Sequence, residues 1–64
     1  MLPAMAGKKQ VYKVRYSNGR IYSVSAQGYK SAKNVFIIRY QPPAGECIVV
    51  WPQGDKGASR NMRT

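Results

Sequence analysis

Alternating apolar and polar residues predict a β-hairpin over about residues 10–26. The alternation runs through residues 11–16, breaks at the Ser-Asn-Gly segment 17–19, and resumes over residues 21–26. Asn-Gly between two alternating segments is a strong short-range signal for a hairpin turn. This part of the chain is therefore expected to form two paired strands joined by a tight turn.

The length of the loop decides which side chains share a face, because residues opposite each other on paired strands lie on the same side. A two-residue Asn-Gly loop would place the serines of the second strand beside the tyrosines of the first. A three-residue loop, with Gly19 at positive φ in a G1 bulge, avoids this mismatch, and we predict it. The apolar face then holds Tyr12, Val14, Tyr16, Tyr22 and Val24, and the polar face holds Lys13, Arg15, Ser23 and Ser25, with Ile21 as the apolar exception.

Residues 32–40 fit a helix and a strand almost equally well. Helical spacing gathers apolar residues on one side, but Arg39 falls within the same stripe and residues 35–38 are strong β-formers. Ser31 is a suitable N-cap and a pair of prolines follows the segment, so we predict a helix over about residues 31–41. The apolar side of this helix would hold Ala32, Val35, Phe36 and Tyr40.

A continuous apolar run at residues 47–51 predicts a strand over about residues 46–51 that is buried on both faces. Cys47 begins this run, and we expect its thiol to lie in the core as a small apolar group. The residues that follow, 53–64, have no apolar period. They are expected to be mobile in the free protein.

These elements, in the order strand, strand, helix, strand, predict a small α+β fold: a ββαβ unit with one helix across a small sheet. If residues 32–40 formed a strand instead, the alternative would be an all-β small open barrel. The predicted domain organisation is a flexible basic leader over residues 1–9, a single small domain over residues 10–52, and a flexible basic tail over residues 53–64.

Positive charge dominates the composition and indicates what kind of partner the fold has. The chain has 11 Lys and Arg residues against 2 Asp and Glu residues, a formal net charge of +9, and no acidic residue before Glu46. Soluble domains ordinarily mix both signs on their surface, because uncompensated charge opposes compaction. A surface of one sign therefore predicts a partner of the opposite sign.

The side chains needed for catalysis or metal binding are scarce. The chain has no histidine, one cysteine, and 2 acidic residues, Glu46 and Asp55, that do not resemble a catalytic pair. General acid–base catalysis near neutral pH and closed metal sites both need more such groups. We therefore expect no enzymatic activity, no catalytic residue, no metal and no cofactor.

Cations are expected on the polar face of the hairpin and at both ends of the chain. Lys13 and Arg15 alternate along one strand, where residues two apart lie ~6.5–7 Å from each other, close to the spacing of phosphates along a nucleic-acid strand. Tyr29, in a loop beside Lys30, is the aromatic residue most available to a ligand, whereas the hairpin tyrosines are expected in the core. The predicted nucleic-acid-binding residues are Lys8, Lys9, Lys13, Arg15, Arg20, Tyr29, Lys30, Lys33, Lys56, Arg60 and Arg63.

The predicted function is that of a small non-enzymatic protein that binds DNA or RNA through the phosphate backbone, using the basic hairpin face and the basic arms. The alternative is an interaction or assembly protein whose positive face docks on an acidic protein partner. An edge strand in so small a sheet also allows a homodimer. Because no apolar run is long enough to span a membrane and no signal peptide is recognisable, we expect a cytoplasmic protein, or one of the nucleoid or nucleus, that is not secreted.

Overall fold

Four antiparallel strands and one α-helix form the fold of residues 9–64, which are the residues that the computed structural model describes. The elements are β1 (Gln10–Arg15), β2 (Ile21–Ala26), α1 (Tyr29–Tyr40), β3 (Cys47–Pro52), a single 3-10 turn (Lys56–Ala58) and β4 (Arg60–Arg63). Within this part of the chain, no helix is both long and apolar enough to cross a membrane. The strands form one open sheet in the order β2-β1-β3-β4. The predicted α+β fold is confirmed, and the alternative all-β barrel is wrong, because the sheet is open and residues 32–40 lie in α1.

The register of the first hairpin agrees with the prediction. β1 and β2 place Tyr12 opposite Val24, across a loop of residues 17–19. Gly19 has a φ of 89°, and its N–H donates to the carbonyl oxygen of Tyr16 at 2.9 Å. A positive φ is unfavourable for residues with a Cβ, so glycine at this position permits the three-residue loop and, through it, the register.

One face of the sheet packs against α1 and forms the core. Phe36 is 1% exposed, and its ring centroid lies 5.3 Å from that of Tyr22 and 6.0 Å from that of Tyr16. The hairpin tyrosines therefore belong to the core, as predicted. The buried core cluster consists of Tyr12, Val14, Val24, Ala26, Ala32, Phe36, Ile48 and Val50.

The helix begins at Tyr29, earlier than predicted, with Gly28 as its N-cap and no capping hydrogen bond from a side chain. The predicted N-cap at Ser31 is therefore wrong. Tertiary contacts of the tyrosine favour the earlier start. Its ring packs against that of Tyr12 with centroids 5.3 Å apart, and its hydroxyl donates to the carbonyl oxygen of Ala58 at 2.6 Å.

The two predictions of flexible chain ends compare differently with the structure. Residues 1–8 of the predicted leader lie outside the described residues, so that prediction stays a prediction. The flexible tail is wrong for β4, which pairs with β3 and places Met62 opposite Ile48. After β4, the N–H of Thr64 donates to the carbonyl oxygen of Glu46 at 2.9 Å. Backbone hydrogen bonds hold this segment, and the sequence gives no apolar pattern that would have predicted it.

The outer strands of the sheet are β2 and β4. An edge strand leaves backbone N–H and C=O groups unpaired along one side, and charged residues or prolines usually protect it. β2 has six residues, Ile21–Ala26, and none of them is charged or proline. β2 is therefore the edge at which the predicted homodimer would pair, and the homodimer stays a prediction.

Candidate nucleic-acid interface

We call the sheet face that points away from α1 the open face. Side chains alternate along each strand, so the residues between the core positions lie on this face. Because β3 separates β1 from β4, the open face joins residues from distant parts of the sequence. None of its strand residues is acidic. They are Val11, Lys13 and Arg15 on β1, Ile21, Ser23 and Ser25 on β2, Cys47, Val49 and Trp51 on β3, and Asn61 and Arg63 on β4.

Lys13 and Arg15 project from β1 side by side, as the hairpin register predicted. The ammonium Nζ of Lys13 donates to the hydroxyl of Ser23 at 2.7 Å, which holds the lysine across the neighbouring strand. Arg15 lies between Ile21 and Val49, whose apolar side chains can support its aliphatic stem. Both side chains are therefore anchored at regular strand positions, and their Cα atoms are ~6.5–7 Å apart along β1.

β4 adds a third cation to the open face. The prediction of a flexible tail had given this cation no fixed position. Arg63 lies opposite Cys47 on β3. β1 and β4 flank β3, so they are ~10 Å apart across the sheet. Asn61 lies opposite Val49, in the same row as Arg15. Sequence reasoning missed this asparagine because only the pairing of β4 brings it to the open face.

Trp51 is the aromatic residue of the open face, but its ring is covered. The residue is 7% exposed and lies opposite Lys13. The Nζ of Lys56 is 5.5 Å from the centroid of its ring, at the distance of a cation–π contact. Trp51 is therefore not a free platform for a base. Its role is to hold Lys56, which the sequence placed in a tail, over the open face as a fourth cation.

Tyr29 is not available to a ligand in the way that the sequence predicted. Besides its contacts with Tyr12 and Ala58, its ring is covered by the guanidinium of Arg60, whose Cζ is 4.8 Å from the ring centroid. The prediction treated the tyrosine as a loop residue, whereas the structure places it in the first turn of α1. Arg60 consequently lies on the helix side of the sheet, away from the open face.

The remaining predicted cations are distributed over the surface. Lys30 and Lys33 are on α1, on the opposite side of the sheet from Lys13. The N–H of Tyr16 donates to the carbonyl oxygen of Arg20 at 2.9 Å, so these two residues are paired across the hairpin. Arg20 therefore lies on the same face of the hairpin as Tyr16, the face that packs against α1. The structure therefore does not bring Arg20 into the row with Lys13 and Arg15. Lys9 is exposed before β1, and Lys8 lies outside the described residues.

A cleft opens at one end of the open face, between the hairpin loop and the paired ends of β3 and β4. Pairing of β1 with β3 stops at Arg15 and Val49, and beyond this point the two hairpins diverge. The cleft has a volume of ≈ 720 Å³. Its walls carry hydrogen-bond donors above an apolar floor that includes Tyr16 and Met62. The lining residues that belong to the open face are Arg15, Cys47, Val49, Asn61 and Arg63.

The residues that line the cleft include no acidic side chain, and the carboxylate of Glu46 lies beside it. The hydroxyl of Ser17 donates to the Oε1 of Glu46 at 2.9 Å, which ties the hairpin loop to the residue that precedes β3. Partial burial, followed by the charges of Glu46 and then Tyr22, raises the pKa of the Tyr16 hydroxyl above its usual value. This phenol therefore stays protonated at neutral pH, and the cleft is lined by positive and neutral groups.

The thiol of Cys47 is free and exposed, so the expectation of a buried thiol is wrong. Cys47 is the first residue of β3 and lies on the open face, which α1 does not cover. We expect this thiol to react with a colourless disulfide reagent in the native protein at a rate close to that in denaturant, because burial is what makes a thiol inert. Reaction that starts only after unfolding, followed by absorbance of the released thiolate, would contradict the exposed position.

The open face and the cleft together offer cations, amide and hydroxyl donors, and an apolar floor. Within residues 9–64, no group of three or more Cys, Asp or Glu side chains is placed to hold a metal ion. The chemistry that this arrangement supports is the binding of an anion over an extended surface. Comparison with models of protein families, with curated proteins and with solved structures finds no match to this chain.

Proposed function

We propose that this protein is a non-enzymatic nucleic-acid-binding protein that contacts the phosphate backbone through the open face of its sheet. The observation that supports this proposal best is the grouping of four cations on the sheet face that α1 does not cover, whose strand residues include no acid. The cations are Lys13, Arg15, Lys56 and Arg63. Phosphate contacts of this kind supply most of the affinity in non-specific binding of nucleic acids.

The spacing of the cations suits a polyanion with regularly placed charges. Lys13 and Arg15 are ~6.5–7 Å apart along β1, close to the distance between successive phosphates of one strand. Arg63 is two strands away and two residues beyond the row of Arg15, so its Cα lies about 12 Å from that of Arg15, within reach of a neighbouring part of the same backbone. Regular strand geometry fixes these starting positions before binding, so less conformational entropy is lost than with cations on a flexible tail.

Backbone contact is favoured over stacking of bases on the open face. The single aromatic residue of this face, Trp51, is covered by Lys56, and the hairpin tyrosines face α1. Proteins that bind single strands by stacking need exposed rings on the binding surface. Contacts to phosphates carry little sequence information, so we expect the open face to bind different sequences with similar affinity.

The cations on the helix side are assigned a secondary role. Lys30, Lys33 and Arg60 add to the net charge of +9, which attracts a polyanion at long range and raises the rate of encounter. They do not share a face with Lys13 and Arg15. A protein with this function would act where nucleic acid is present, in the cytoplasm, the nucleoid or the nucleus.

A salt titration of binding tests the proposal. If about four to six phosphates are neutralised, log K for a short duplex should fall with log salt concentration with a slope of roughly −3 to −5. Fluorescence anisotropy of labelled duplex and single-stranded DNA and RNA gives this slope. Flat or undetectable binding at low salt would overturn the proposal. Recovery of one stoichiometric acidic protein that resists nuclease treatment, together with such a result, would support docking on a protein instead.

A further inference from the structure

The cleft beside the hairpin loop is larger and less polar than a phosphate contact requires. Its volume of ≈ 720 Å³ lies in the range of pockets that hold small organic ligands, about 300–1,000 Å³. Its floor is apolar, with Val49 on the open face and the half-buried Tyr16 and Met62 deeper in the cleft. A phosphate group bound by arginines alone would leave this apolar surface uncovered. The cleft therefore fits a ligand that has both an anionic group and a flat apolar body.

The polar groups around the cleft limit the ligand further. Arg15 and Arg63 stand on β1 and β4, on opposite walls, and both guanidinium groups are obligate donors that bind phosphate well. Asn61 is two residues before Arg63 on β4, across Val49 from Arg15, and offers an amide, which both donates and accepts. An anion held from two sides, next to an apolar body with a hydrogen-bonding edge, describes a nucleotide.

We infer that this cleft binds one unpaired nucleotide of a nucleic acid, with its phosphate between Arg15 and Arg63 and its base on the apolar floor beside Asn61. The inference rests on the proposed function and names the part of the nucleic acid that the site selects. A base inside a duplex is stacked on both faces, so it must leave the stack before it can enter a cleft. An unpaired nucleotide at an overhang or in a loop enters without that cost. The protein should therefore prefer junctions between paired and unpaired segments to continuous duplex.

The test compares a labelled blunt DNA hairpin with the same hairpin carrying a short single-stranded overhang. We expect the overhang to increase the affinity by about tenfold, the effect of covering roughly 50 Å² of apolar surface on the floor of the cleft. Asn61→Ala should weaken binding of the overhang hairpin by a larger factor than binding of the blunt hairpin, so that most of the difference between the two affinities is lost. Asn34→Ala on the exposed surface of α1 is the matched control and should change neither affinity.

Alkylation of Cys47 provides a second test that needs no change of sequence. The thiol lines the cleft and is exposed, so a neutral maleimide should fill part of the cleft without altering the charge of the open face. We expect the alkylated protein to lose the preference for the overhang while it still binds the blunt hairpin. The Cys47→Ser protein treated with the same reagent is the control and should keep the preference.

The outcomes separate the two proposals. If blunt and overhang hairpins bind equally well, with the expected salt dependence, the nucleotide cleft is wrong and the backbone interface stands. The cleft is also wrong if alkylation and Asn61→Ala weaken both hairpins by the same factor, because these changes would then act on the open face as a whole. If neither hairpin binds at low salt, both proposals fail.

Discussion

The Lys13→Ala/Arg15→Ala double variant should bind a short blunt duplex about 10- to 100-fold more weakly than the unchanged protein at low salt. Both side chains project from β1 on the open face, and neither contributes to the buried core. Each lost phosphate contact should also reduce the salt slope by about one unit. The salt slope of the double variant, measured by the same anisotropy titration, should therefore be shallower by about two units.

The matched control removes one lysine and one arginine from the helix side. The Lys30→Ala/Arg39→Ala double variant has the same net charge as the first, but both of its substitutions lie on exposed positions of α1. We expect its affinity to fall by less than about threefold, through the weaker long-range field alone. Equal losses in the two double variants would show that net charge, and not the open face, determines binding. Thermal unfolding of both variants verifies that the fold is intact.

Phe36→Ala should destabilise the domain by about 3–5 kcal/mol, the usual cost of removing a fully buried ring. The side chain is 1% exposed, and its ring lies within 5.4 Å of the rings of Tyr22 and Tyr40, measured between centroids. Small domains have unfolding free energies near the lower end of about 5–15 kcal/mol, so most of this stability would be lost. Urea unfolding followed by tyrosine and tryptophan fluorescence measures the change.

Ile38→Ala is the matched control for the loss of the ring. Ile38 belongs to the same helix but is 75% exposed, so its removal should change the free energy of unfolding by less than about 0.5 kcal/mol. Alanine also has the higher helix propensity, which offsets part of any lost contact. If Phe36→Ala cost no more than Ile38→Ala, the helix would not pack on the sheet through this ring.

The hairpin could be predicted in detail because its determinants are local. Loop length, the glycine at position 19 and the alternation of side chains all lie within about residues 10–26, and together they fix the register. The same register predicted that Lys13 and Arg15 are neighbours on one face and that Tyr12 lies in the core. The structure agrees on both points. This part of the candidate site follows from the sequence alone.

The other half of the site depends on contacts between distant residues. β4 is a strand because β3 offers it backbone partners, and Met62 is a β4 side chain that packs against the core. Tyr29 joins the helix because of its contacts with Tyr12 and Ala58. Side-chain patterns do not record such partners. The predictions of a flexible tail at β4 and of a Tyr29 ring available to a ligand were therefore wrong.

The apolar run of β3 was misleading for a related reason. Continuous apolar residues are typical of a strand covered on both faces, but α1 covers only one face of this sheet. On the other face Trp51 is covered by Lys56, while Cys47 at the strand end is exposed. The cleft could not be predicted from the sequence either, because it forms where the loop at residues 17–19 and the end of β4 come together.

The order of the strands means that the sheet consists of two hairpins, β2-β1 and β3-β4, joined along a seam between β1 and β3. The seam contains four residue pairs, from Tyr12 and Pro52 to Arg15 and Val49. Arg15 belongs to one hairpin, and Arg63 to the other. A ligand held by both arginines would therefore fasten the two halves of the protein together. Opening of the seam would release the ligand even if each hairpin kept its own pairing, so binding and the cooperativity of folding would be linked.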